Sequence, residues 1–248
     1  MRDIETGLHY PLQLDELPES WDVGYVGDFA DTIQPGFASG KHNQEGTGIP
    51  HLRPMNVDRL GNIDFEVVKY VSPDSDSKRL QVNDVLFNNT NSPALIGKTS
   101  VITRPGDWGF SNHMTRVVFN KAVSAKFAAY QLHFLWMTGY YLHKCVKHVN
   151  QASISSKELA CTVPFVVSPL YEQTRIVAEI EKQFSRLDEA VANLKRVKAN
   201  LKRYKAAVLK AAVEGKLTAE WRKQHPDAEP ADKLLERILA ERRKAAGK

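Results

Sequence analysis

SPLYEQTRIVAEIEKQFSRLDEAVANLKRVKANLKRYKAAVLKAAVEG (168–215) is the stretch on which the fold turns. Its apolar residues Ile176, Ile180, Phe184, Leu187, Val191, Leu194, Leu201, Tyr204 and Val208 recur mostly at steps of three or four, the spacing of one helix face. Ser168-Pro169 offers a start, with serine as cap and proline in the first turn. Gly215 offers a C-cap. The pattern predicts one helix over about 170–213, ~66 Å long at 1.5 Å per residue. The stripe reads as a coiled-coil seam whose heptad slips between Leu194 and Leu201. A helix of that length cannot bury its stripe against one small domain, so it calls for a second helix, from this chain or another.

Composition changes at the start of that helix. Before Pro169 lie 12 of the 14 glycines and nine of the 12 prolines, with short apolar runs between turn signals. The expected fold is therefore α+β: a globular mixed domain over 1–169, then a helical region over 170–248 made of the long coiled-coil-forming helix and short C-terminal helices. Strands are predicted at VVKYVS (67–72), DVLFNN (84–89), KTSVIT (98–103), HMTRVVF (113–119) and TVPFVV (162–167). In HMTRVVF the alternation suggests a half-buried strand with Arg116 facing out. One helix is predicted from about Ser124 to Lys147, with Phe127, Tyr130, Phe134, Met137 and Tyr141 on its apolar face. Segments 35–50 and 72–77 read as polar loops. Beyond Gly215, a short helix ends at Pro226, and a last amphipathic helix over Pro230–Ala246 presents Leu234, Leu235, Ile238 and Leu239.

The chain of 248 residues is 42% hydrophobic and 25% charged, as in soluble globular proteins. Two cysteines, Cys145 and Cys161, point to a reducing compartment. The start MRDIETG carries charges where a signal peptide is apolar, and residues 125–142 are too interrupted to span a bilayer. A cytoplasmic protein without membrane contact is expected. The net charge of +5 is uneven: −7 over residues 1–31, +5 over 32–170 and +7 over 171–248. That distribution suggests a polyanionic partner, nucleic acid first. The plainer alternative for the tail is a solvated helical surface. Lys195, Arg196, Lys198, Lys202, Arg203, Lys205 and Lys210 form a run without an acid, which suits phosphates and equally an acidic protein.

Catalytic signatures are missing. The sequence has no phosphate-binding glycine loop, no H-E-x-x-H and no G-x-S-x-G. His143, Cys145 and His148 are close in sequence, but residues two apart point to different helix faces and a fourth ligand is lacking. Asn88-Asn89-Thr90-Asn91 lacks the Pro-Pro and the aromatic of amino-methyltransferase loops. No enzyme activity, metal or cofactor is expected. Four polar loops stand out instead: Lys41 to Gln44, Asn88 to Ser92 with Lys98 and Thr99, Ser111 to His113, and Asn150 to Ser156. Asn, Gln, Lys and Arg can read base edges, while Ser, Thr and Lys can hold phosphates. The competing explanation is that polar residues fill loops in any protein.

Six blocks in order then resemble one family, the specificity (S) subunits of type I restriction-modification systems. They are LPESWDVGYVGDFADTIQPG (17–36), GIPHLRPMNV (48–57), DVLFNNTNSPALIGKTSVI (84–102), VNQASIS (149–155), VPFVVSPLYEQTRIVAEIE (163–181) and AAVEGKLTAEWR (211–222). The resemblance implies a target recognition domain that reads a few base pairs of double-stranded DNA. It implies helices that act as a spacer and bind the methyltransferase (M) subunit. The S subunit has no catalysis of its own. Its M partner methylates adenine with S-adenosylmethionine, and a restriction (R) subunit translocates and cuts DNA with ATP. Family members usually carry two recognition domains and two helical regions, whereas this sequence holds one of each. A natural half-subunit, a truncation and an expressed fragment remain open.

On this reading Lys41, Asn89, Thr90, Asn91, Lys98, Asn112 and His113 are the expected DNA contacts. Ile180, Leu187, Val191, Leu194, Leu201 and Val208 are expected to pair with the same helix of a second copy, or with another specificity subunit, in a homodimer-like arrangement. An alternative function is a regulatory or anti-restriction competitor for M subunits or full-length S subunits.

Overall fold

The computed structural model describes residue 4 and residues 9–72, 78–149 and 151–247. Of the expected loops, 73–77 and Asn150 lie outside the described residues. The strands are β1 (Asp22–Tyr25), β2 (Ala30–Pro35), β3 (His42–Asn43), β4 (Ile49–Leu52), β5 (Lys69–Val71), β6 (Val85–Asn88), β7 (Thr90–Asn91), β8 (Thr99–Val101), β9 (Gly109–Phe110), β10 (Met114–Phe119), β11 (Val146–Lys147), β12 (Ala152–Ser153) and β13 (Pro164–Val167). The helices are α1 (Val26–Phe29), α2 (Ala125–Met137), α3 (Tyr140–Lys144), α4 (Ser156–Thr162), α5 (Leu170–Val213), α6 (Ala219–Gln224) and α7 (Ala231–Ala246). The chain divides into two compact units, Met1–Lys182 and Gln183–Lys248.

The first unit is built on an antiparallel sheet in the order β2-β10-β6-β8. Every residue of β6 is buried. Val85 and Phe87 enter a core with Val117, Phe127, Leu132, Leu135, Tyr141 and Phe165. Leu86 enters a second core with Leu52, Val57, Ile102, Trp108, Phe110 and Met114. A strand covered on both faces must be apolar throughout, which is why VLF is continuous rather than alternating. Each such buried side chain contributes ~1.5–3 kcal/mol. A second sheet, in the order β3-β5-β4-β9, is antiparallel except for the β4–β9 pair. Two small sheets, β1-β13 and β11-β12-β7, complete the unit.

The two-core sheet corrects the expectation for Arg116. Its side chain is only 18% exposed and its Nε lies 2.6 Å from Oδ2 of Asp84, itself 5% exposed. The alternation in HMTRVVF separates two buried faces, not a buried face from solvent. The predicted helix 124–147 is also broken. Gly139 takes φ +79°, a left-handed conformation open to glycine, and separates α2 from α3. Residues 146–147 are then strand β11. Of the expected apolar face, Phe127 and Tyr141 are buried, but Phe134 and Met137 are 40% and 67% exposed; α2 buries Ala128, Leu132 and Leu135 in their place.

Helix α5 has the expected bounds, Leu170–Val213. Ser168 does not cap it: its hydroxyl is buried without a hydrogen-bond partner. The anchor is Gln173, which is fully buried. Its Oε1 accepts from the Ser124 amide at 2.7 Å. Its Nε2 donates to the carbonyls of Ala122 (2.9 Å) and Ser168 (2.7 Å). Beside it, Trp21 Nε1 donates to Glu172 Oε2 at 3.1 Å. Two of the resembling blocks, 17–36 and 163–181, are thus joined by a side-chain bond. Val177 is buried one turn on.

In the second unit, Gly215 ends α5 with φ +68°, as its position implied. Leu187, Val191, Leu194 and Leu201 are 48–68% exposed, and Val208 is half-buried. The face of α7 formed by Leu234, Leu235, Ile238 and Leu239 is 38–56% exposed. Among the described residues, no helix is long and apolar enough to cross a membrane.

Candidate nucleic-acid interface

Strand ends of the first unit deliver its polar loops to one place. The β6–β8 connection starts at Asn88, whose Nδ2 donates to the Leu95 carbonyl at 2.8 Å. The amides of Asn89 and Thr90 both donate to the His113 carbonyl, at 3.1 and 3.3 Å. The Asn89 carbonyl accepts from the Ile154 amide at 2.9 Å. Strand β12 pairs with β7, setting Ala152 against Asn91 and Ser153 against Thr90. Three of the four polar loops are therefore stitched together through backbone bonds.

These loops line a cleft of about 670 Å³ formed by Ala38, Ser39, Arg53 to Met55, Thr90 to Ser92, Leu95, Lys98, Ser111 to His113 and Gln151. Five of the seven expected contacts border it: Thr90, Asn91, Lys98, Asn112 and His113. Asn89 does not. It is 7% exposed, and its Nδ2 donates to Thr115 Oγ1 at 2.8 Å and to the Asn112 carbonyl at 3.1 Å. Lys41 also lies off the lining and is exposed. Lys98 is 6% exposed, and its Nζ donates to the carbonyls of Pro54 and Val57. Burial holds this ammonium below its usual range, partly opposed by Asp58.

Sequence reasoning missed Arg53. It follows β4 inside the apolar block HLRPM, and a single base there carries little signal. Its amide donates to Asn56 Oδ1 at 2.9 Å and its guanidinium to Ser39 Oγ at 2.8 Å. Asn56 is held in turn by the carbonyls of Asp64 and Val67, both at 2.9 Å. Nearby His51 is 1% exposed, and burial together with Arg53 pushes its pKa down to about 4. Arg53 and Lys69 likewise hold His42 below the usual imidazole value. His143 stacks on His9 with ring centroids 3.6 Å apart. Among the described residues, no three His, Cys, Asp or Glu side chains gather as a metal site.

A mixed α+β domain that leads into one long helix, with polar loops gathered at one cleft, is the class of protein that the six sequence blocks describe. The comparisons point the same way: the chain is similar to specificity subunits of type I restriction enzymes. It is 27% identical over 226 residues to the EcoKI specificity subunit of Escherichia coli K12, covering 85% of this chain and 47% of that protein. It is 28% identical over 196 residues to the StySPI specificity subunit of Salmonella potsdam, covering 73% of this chain and 40% of that protein. Among solved structures it resembles the HsdS subunit of Thermoanaerobacter tengcongensis, with a TM-score of 0.57, 25% identity and coverage of 82% of this chain and 47% of that one. A chain from a structural study of type I complex assembly gives a TM-score of 0.59 at 25% identity, covering 79% of this chain and 46% of that one. No family model matches. The chain spans about half the length of the curated relatives it matches.

Proposed function

We propose that this chain is the DNA-recognition subunit of a type I restriction-modification complex. It reads one half of a bipartite duplex site and docks the methyltransferase subunit through its helices. The likeness to named specificity subunits along most of the chain carries this reading. The domain boundary is proposed at the start of α5. Thr90, Asn91, Asn112 and His113 of the cleft, and the exposed Lys41 outside its lining, meet the DNA. Asn89 and Lys98, whose polar ends are spent on internal partners, hold the loops in shape. The stripe Ile180, Leu187, Val191, Leu194, Leu201 and Val208 pairs antiparallel with a second copy in the cytoplasm, and the restriction subunit joins the assembled complex. Acids dominate the first half of α5, and its last stretch from Lys195 is purely basic, so antiparallel pairing sets opposite charges together.

The test is selection from a random duplex pool by the chain assembled with methyltransferase subunits. Enrichment of two half-sites separated by a fixed gap and related by a dyad is expected. If the chain binds methyltransferase subunits but enriches no sequence, the recognition reading fails and the regulatory competitor reading replaces it.

A further inference from the structure

We infer that the cleft seats a backbone phosphodiester of the DNA, with Arg53 as the charge that holds it. The inference rests on the DNA-recognition reading and assigns the cleft a part within it: grip rather than base reading. Among the described residues, its lining contains Arg53 and Lys98 and no carboxylate. Around these cations stand neutral donors, Ser39, Thr90, Ser111 and Asn112. Hydroxyls and amides of this kind bond phosphate oxygens readily.

Arg53 is the group with unspent capacity. One guanidinium nitrogen is given to Ser39, Nε is buried without a partner, and Arg53 forms no ion pair among the described residues. A half-buried cation with unmade hydrogen bonds is costly until an anion arrives. Lys98 cannot take that part, because two backbone carbonyls already hold its ammonium. It fixes instead the 3-10 turn Pro54–Asn56 directly after Arg53, as Asn56 does from within it. His51 stays neutral at physiological pH and competes for no anion.

Shape selects the phosphate over a base. Base edges lie on the floor of a groove and are reached by side chains that project. The sugar–phosphate ridge is the part of a duplex that projects, and a recess receives it. A phosphate seat supplies affinity and register without sequence information.

The full chain, assembled with methyltransferase subunits, is titrated with its selected duplex and with an unrelated duplex at several salt concentrations. Arg53→Ala is expected to weaken both by about tenfold. It should also flatten the slope of log affinity against log salt by ~0.9, one phosphate's worth. Arg53→Lys should restore the slope. A single uncharged methylphosphonate linkage at the contacted position should weaken the wild type as Arg53→Ala does, and should cost that variant nothing more. A variant that binds with an unchanged slope overturns the inference. So does one that loses discrimination at a single base pair only, which would make Arg53 a base reader. A wild type that binds no duplex removes the DNA reading itself, and this inference with it. The thermal melt of Arg53→Gln, expected to match wild type, separates these effects from unfolding.

Discussion

Helix α5 lives in two environments. Over its first turns Gln173 and Val177 are buried, Glu172 accepts a bond from Trp21, and Lys126 pairs with Glu181. From Leu187 to Leu201 the apolar side chains are about half to two-thirds exposed. The same periodic sequence runs through both. The difference lies in the docked turns, which place one polar side chain, Gln173, where every hydrogen-bonding atom has a partner. The exposed turns carry apolar residues that the described residues leave about half to two-thirds open to solvent. Periodicity reports that a face wants burial; it does not report what buries it.

That contrast can be broken at its strongest point first. Gln173→Ala leaves the Ser124 amide and two carbonyls without their partner, and should cost ~2–4 kcal/mol in urea unfolding. A loss below ~0.5 kcal/mol would mean that the anchor is dispensable.

Acid sharpens the contrast next. The His51 pKa in the folded protein, about 4, lies below its unfolded value, so between these pH values the unfolded chain binds more protons. Stability should therefore fall as pH drops from ~6.5 towards ~4, by on the order of 2 kcal/mol from this group. His51→Phe should flatten that part of the pH profile, and an unchanged profile would refute the assignment. Trp21→Phe removes only the bond to Glu172 and should cost ~0.5–1.5 kcal/mol by the same unfolding measurement.

The smallest effect on the fold is expected in the exposed half. Leu194 is 68% exposed in the single chain, so Leu194→Glu should change the stability of the first unit by less than ~0.5 kcal/mol. If the stripe pairs two copies, light scattering should show a wild-type mass near twice 27.9 kDa and a mutant mass near 27.9 kDa. Equal masses would remove the pairing model.

The bounds of α5 were legible because 3.6-residue periodicity and a glycine stop agree over many turns. The break at Gly139 was not, since Tyr140 and Tyr141 continue an apolar pattern that serves two separate helices. Strands β1 and β2 escaped notice because their residues are of mixed burial and their partners, β13 and β10, lie far along the chain. Arg116 misled because alternation looks alike whether the second face meets water or another core. At the cleft, residue type singled out Thr90, Asn91, Asn112 and His113. It could not separate them from Asn89, one position away and turned inward, nor find Arg53, whose importance comes from what surrounds it.

The cleft side chains stand one or two positions beyond residues with no exposure at all. Arg53 follows Leu52, Thr90 comes two after Asn88, and Asn112 and His113 precede Met114. The buried frame ends where the polar rim begins. Such a boundary allows the rim to be rewritten, residue by residue, while the protein keeps folding. A rim set apart in this way can change what it touches without a change in the architecture beneath it.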